Sequence, residues 1–293
     1  MKTAFTICLL LIGGIAWGQG VEPLVNTVIA EPCKDDEYLL QLFCLGQVPA
    51  NHNQETVNIL INHGYVVGYS EERRNPVWAV YKASGLSGTP LGIERDPFFS
   101  RDLRTEAKVH GQTFGGGMDR GHMVPNAAIV GQYGALAQME TFLMSNMCPQ
   151  AKNLNQGPWM RLEKFITHLA EERKHLYVFC GPIFGSSPEI IKNGAERKIQ
   201  IPDKFYMILI DTDKEFTLNF NSNNLPQVEM LGYIFPQSAN RNDDFKDRDK
   251  FGASVDEIEE ATNLNFFPGA EKIGGNRWKK LEETKVMLHW EIE

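Results

Sequence analysis

Two stretches, separated by 22 residues, hold most of the chemically distinctive side chains of this 293-residue sequence. The first is Asp119-Arg120-Gly121-His122, reached through a glycine run at Gly115-Gly116-Gly117. The second is Ser145-Asn146-Met147-Cys148-Pro149-Gln150, which leads into Asn153-Leu154-Asn155-Gln156-Gly157-Pro158-Trp159 and Arg161-Leu162-Glu163. A fold built around this set has to bring both stretches to one place.

The pattern around them is mixed. Tyr65 to Tyr69 and Val77 to Tyr81 are rich in β-branched and aromatic residues and read as strands. Residues 84–118 read as a long loop containing Gly85, Gly88, Pro90, Gly92 and Pro97, and long ordered loops are usually functional. A helix is expected from Ala127 to Glu140 and a short strand from Thr141 to Asn146. From Asn155 the period changes: Trp159, Leu162, Phe165, Ile166 and Leu169 recur at helical spacing, with Pro158 tolerated in the first turn. Leu176 to Phe184 reads as a strand broken at Gly181-Pro182, followed by strands at Phe205 to Ile210 and Val228 to Phe235. A polar loop spans Gln237 to Lys250. Ser254-Val255-Asp256-Glu257 carries a capping-box pattern for a helix to Thr262. Strands and helices intermix without a regular βαβ rhythm, so the expected class is α+β, with a mixed or antiparallel sheet and flanking helices.

The N-terminus reads as a secretory signal peptide over residues 1–18: Lys2, an apolar run from Ala4 to Ile15, then Ala16-Trp17-Gly18. Residues 19–55 read as an N-terminal extension and 56–293 as the main domain. No later segment reaches the length of a membrane helix, so a soluble, secreted or periplasmic protein with no membrane partner is expected. Cys8 leaves with the signal. Cys33, Cys44, Cys148 and Cys180 remain, an even number in an oxidising compartment. Two disulfides are therefore expected. Cys33 with Cys44 and Cys148 with Cys180 is one of three pairings open to four cysteines.

Without Lys2 the charge balance is 28 basic against 37 acidic residues, a net of −9. That argues against coating nucleic acid by bulk charge, although a local basic cleft is compatible with it. Among seven histidines, His122 has the most suggestive company. Its imidazole holds a lone pair near neutral pH and suits taking a proton from water. Arg120 offers a planar fork for phosphate oxygens, and Asp119 reads as orienting the turn. Asn155 supplies one amide oxygen, a poor zinc ligand but adequate for Mg²⁺, which keeps most of its waters. Asn155 also sits where a helix starts and is a good N-cap residue. Glu163 lies roughly 80° round a continuous helix from Asn155, positioned to hydrogen-bond metal waters.

The two stretches resemble the DNA/RNA non-specific endonuclease family, the ββα-metal nucleases that include mitochondrial endonuclease G. The resemblance rests on the ordered set from Asp119 to Glu163. Weaker likeness spans about residues 60–270, including Cys180-Gly181-Pro182-Ile183-Phe184 and Phe266-Phe267. It implies a sugar-nonspecific endonuclease acting on DNA and RNA with Mg²⁺, with Mn²⁺ or another divalent cation able to substitute. His122 would be the general base and Asn155 the direct metal ligand. Arg120 would contact the phosphate, Glu163 would hold metal waters and Asn146 would support the site. An upstream arginine is also implied, Arg95 before Arg101. Monomer and homodimer both fit the family.

Overall fold

The computed structural model describes residues 48–52, 55–83, 98–111, 114, 117–192, 198–215, 226–269, 274–285 and 290. The signal-like segment, most of the expected extension, Cys33, Cys44 and Arg95 lie outside them.

In chain order the elements begin with β1 (Ala50–Asn51), β2 (Val57–Ile61), β3 (Tyr65–Ser70), β4 (Asn75–Ala83) and β5 (Met118–His122). Helix α1 (Asn126–Glu140), β6 (Met147–Ala151) and α2 (Met160–Glu172) follow. Then come β7 (Leu176–Ile183), β8 (Ile190–Lys192), β9 (Lys198–Gln200), β10 (Lys204–Thr212) and β11 (Val228–Pro236). The described chain closes with α3 (Arg248–Phe251), β12 (Gly252–Ala253), α4 (Val255–Thr262), β13 (Leu264–Asn265) and α5 (Asn276–Glu282).

Seven strands form one sheet in the order β12-β11-β10-β7-β4-β3-β2, every pair antiparallel. Its central strands are buried on both faces, which is why they read as continuous apolar runs. Alternate residues feed two cores. One face sends Tyr65, Val67, Tyr81, Val178 and Met207 against Leu162, Ile166 and Leu169 of α2. The other sends Val66, Val80, Phe179 and Ile208 against Val255 and Ile258 of α4 and Trp278 of α5. The fold is α+β, as the pattern suggested.

Most elements fall where the periodicity placed them, and the capping box of α4 is formed reciprocally by Ser254 and Glu257. Three details differ. Residues 141–146 are not a strand: Thr141 continues the turn off α1, Met144–Asn146 is a single 3-10 turn, and the strand starts at Met147. Strand β7 is not broken at Gly181-Pro182. It pairs with β10 through both residues, and its pairing with β4 ends at Cys180, so the missing N–H of Pro182 faces no partner on that side. Helix α2 begins only at Met160, after a wide turn over Asn155–Trp159.

The expected disulfide between Cys148 and Cys180 is also absent. Both are free, buried thiols in the same core, and the Cys180 thiol donates to the Met123 carbonyl at 3.0 Å. A thiol that packs as a small apolar group needs no cross-link.

Candidate active site

Strands β5 and β6 form a separate antiparallel pair, and the chain leaves β6 directly into the helical segment that carries Asn155. The two stretches singled out in the sequence thus become one ββα unit. Gly121 stands opposite Cys148, and a Cβ there would lie 2.3 Å from the side-chain oxygen of the buried Gln150. The glycine is required for this close strand-on-side-chain packing.

Along β5, Arg120 and His122 share a face, and both rest on one aromatic group. The Arg120 guanidinium lies 4.1 Å above the Phe99 ring centre, and its Nη1 donates to the Gly111 carbonyl at 2.7 Å. The His122 imidazole sits between Phe99, at 5.7 Å, and Phe142, at 5.3 Å and nearly perpendicular. The half-buried ring is thereby held by packing on two sides. Neither phenylalanine carries a signal in the sequence that would mark it.

Asp119 points from the same strand to the other participant. Its Oδ2 accepts from the side-chain amides of both Asn155 and Gln156, each at 2.9 Å. Asp119 therefore orients the Asn155 side chain rather than its own turn. With the Asn155 NH₂ held by a carboxylate, the amide oxygen is turned away from Asp119.

Asn146 is fully buried and acts as a clamp. Its side-chain oxygen accepts from Val124 N at 3.0 Å, and its NH₂ donates to the carbonyls of Val124 and Thr141. Its backbone carbonyl accepts from Met123 N at 2.9 Å. Three of these four bonds fix the chain leaving His122, and the fourth ties it to Thr141. Beside it, Ser145 donates to Asp102 at 2.6 Å, and Asp102 pairs with Arg104 at 2.6 Å. Burial pushes the Asp102 carboxyl up, but the Arg104 and Ser145 hydrogen bonds and the Arg104 charge hold it below its ordinary value. This network ties the 98–105 segment, with Phe99 and the half-buried Arg101, to the site.

Glu163 lies in the first turn of α2 and is half-buried. Burial raises the Cys180 thiol and the Tyr81 hydroxyl above their ordinary values, and the Glu163 charge adds to both. The 80° relation to Asn155 does not hold, because Gly157 departs from helical geometry at φ −118°, ψ −119° and interrupts the helix between them. Gly157 has a second role. A Cβ there would lie 2.8 Å from both the Cα and the carbonyl oxygen of Arg241. The polar loop 237–247 is thus a wall of the site, a feature its mixed charge did not announce. Gln237 fastens the loop to β6, accepting from Ala151 N at 2.7 Å and donating to Pro149 O at 2.9 Å.

The chain is similar to known nucleases. A family model described as DNA/RNA non-specific endonuclease matches residues 46–273. Human mitochondrial endonuclease G is 28% identical over 214 residues, covering 70% of this chain and 67% of the relative. A nuclease of Serratia marcescens is 26% identical over 222 residues, covering 72% and 75%. In a crystal structure of the EndoG/EndoGI complex, one chain superposes with a TM-score of 0.63 at 22% identity, covering 78% of this chain and 91% of that one. At that identity the superposition speaks to the fold alone.

Proposed function

The chain belongs to the DNA/RNA non-specific endonuclease family, a family of metal-dependent nucleases, and from that premise we propose an exported, sugar-nonspecific, Mg²⁺-dependent endonuclease. It would hydrolyse phosphodiester bonds of DNA and RNA and leave 5′-phosphate ends. The observation that carries this reading is the joint placement of Arg120, His122 and Asn155 on one ββα unit, with Asp119 bonded to Asn155 at 2.9 Å.

The donor chemistry fits a hard divalent cation. Asn155 would hold it through the amide oxygen left by the Asp119 contact, and Glu163 would accept from its waters. Both candidate donors, the Asn155 amide and the Glu163 carboxylate, offer oxygen atoms. When bound, such a cation neutralises charge on a phosphoryl oxygen and on the leaving 3′ oxygen.

His122 takes the proton of the attacking water, its ring packed between Phe99 and Phe142. Among the described residues Arg120 spends one N–H on Gly111, and its other donors would serve the phosphate. Contacts of this kind read the backbone and not the bases, so both sugars are accepted and sequence preference is slight. The apolar N-terminal run supports export.

The test is a cleavage assay on plasmid DNA and structured RNA, with Mg²⁺, with chelator, and with His122→Ala. Degradation of both polymers that is lost with chelator, and reduced at least about 100-fold in the variant, supports the reading. Folded wild-type protein that cuts neither polymer with any divalent cation overturns it.

A further inference from the structure

An endonuclease that cuts within a polymer has to hold the phosphates on either side of the one it attacks. Arg120 would serve the scissile position, and a chain with a net charge of −8 has no general attraction for nucleic acid. A second local cation is therefore needed close to Asn155.

We propose that Arg241 grips a backbone phosphate flanking the scissile one; this rests on the nuclease reading above. Its backbone packs on Gly157, two residues from Asn155, close enough that a Cβ on Gly157 would lie 2.8 Å away. Arg241 itself is exposed. Among the described residues its guanidinium makes no hydrogen bond or ion pair, although four aspartates lie within eight residues of it. Those aspartates have other work. Asp243 pairs with Lys250 at 2.7 Å and accepts from Asn240 N at 2.8 Å. Asp244 accepts from Lys246 N at 3.0 Å. Asp247 caps α3 by accepting from Lys250 N, and Asp249 sits in the first turn of that helix.

The loop is also held firmly where Arg241 is rooted. Gln237 bonds to both Pro149 and Ala151 at its start, and Arg161 of α2 donates to the Asp243 carbonyl just beyond. A planar, always-charged group, on a backbone that packs two residues from the candidate ligand and with no carboxylate partner among the described residues, is suited to bidentate phosphate recognition. Arg241 would be a binding residue, with no role in proton transfer.

The test compares wild type, Arg241→Ala, Arg241→Gln and Arg241→Lys on long duplex DNA over a range of salt concentrations. Lys279→Ala, on α5 across the sheet, is the control. Loss of Arg241 is expected to raise KM roughly threefold to tenfold and to reduce the slope of log(kcat/KM) against log[salt] by about 0.9. Arg241→Lys is expected to restore the slope, because the charge returns, and the control to match wild type. Active wild type with unchanged KM and slope in both neutral variants overturns the inference and leaves the nuclease reading standing. A fall in kcat with an unchanged slope overturns it too, because that marks a structural role. Wild type that cuts nothing removes both readings together.

Discussion

The carboxylate of Asp119 holds the side-chain amide of Asn155 at 2.9 Å, across 36 residues of sequence. Strand β5, which carries the proposed base, thereby also sets the orientation of the proposed metal ligand. Positioning of this kind matters because a ligating amide that rotates freely spends much of its time facing the wrong way.

Replacing Asp119 with Ala is expected to raise the Mg²⁺ concentration needed for half-maximal activity by about 10- to 100-fold, since partners behind a ligand carry that much of its affinity. A metal titration of the cleavage rate checks this. An unchanged titration curve, with the fold intact, would mean that Asn155 does not need Asp119 or does not bind the metal.

Gly157→Ala is expected to lower activity and cost about 1–3 kcal/mol of stability, because its Cβ meets backbone atoms of Arg241 rather than a movable side chain. Chemical denaturation and steady-state kinetics on the same sample measure both effects. A fully stable and fully active variant would show that the loop does not wall the site as described.

Asp102→Asn is expected to destabilise the protein by about 3 kcal/mol at neutral pH, because it leaves Arg104 without its buried partner. The Asp102 carboxyl is held below its ordinary value of 3.8, so its stabilisation is present above that pH. It is lost as pH falls through the lowered folded-state value. The gap between wild type and variant should therefore close in strong acid, and denaturation curves across pH 2 to 7 give the comparison.

Cys148 and Cys180 are expected to resist thiol reagents in the folded protein and to react once it unfolds without reductant. Burial raises both thiols well above their usual range, and no thiolate forms near neutral pH. Non-reducing peptide mapping after alkylation in denaturant should find both alkylated. A cross-linked peptide containing the two would contradict the structure.

Much of this protein is determined locally and is visible in the chain. Strands β3, β4, β10 and β11, helix α4 with its capping box, and the family set from Asp119 to Glu163 all depend on residue type and spacing over short distances. The errors fall where distant contacts override that local pattern. Thr141 to Asn146 has strand-like residues, yet Asn146 serves better as a buried clamp on Val124, and the segment turns to allow it. Pro182 marks a break in sequence, but the neighbouring strand β4 has already left its side of the ladder. Four cysteines in a chain that begins with a signal-like run suggest two bridges, whereas the packing around Cys148 and Cys180 makes each a small core residue.

The residue types of the site were determined by the sequence alone, because a proton acceptor, an anion-binding fork and an oxygen ligand are properties of single side chains. Their arrangement was decided only by tertiary structure. Phe99 beneath Arg120, Asp119 on Asn155 and Arg241 against Gly157 join residues between 21 and 84 positions apart. Contacts over such separations arise from how the sheet, the ββα unit and the 237–247 loop pack together, and no local periodicity encodes them.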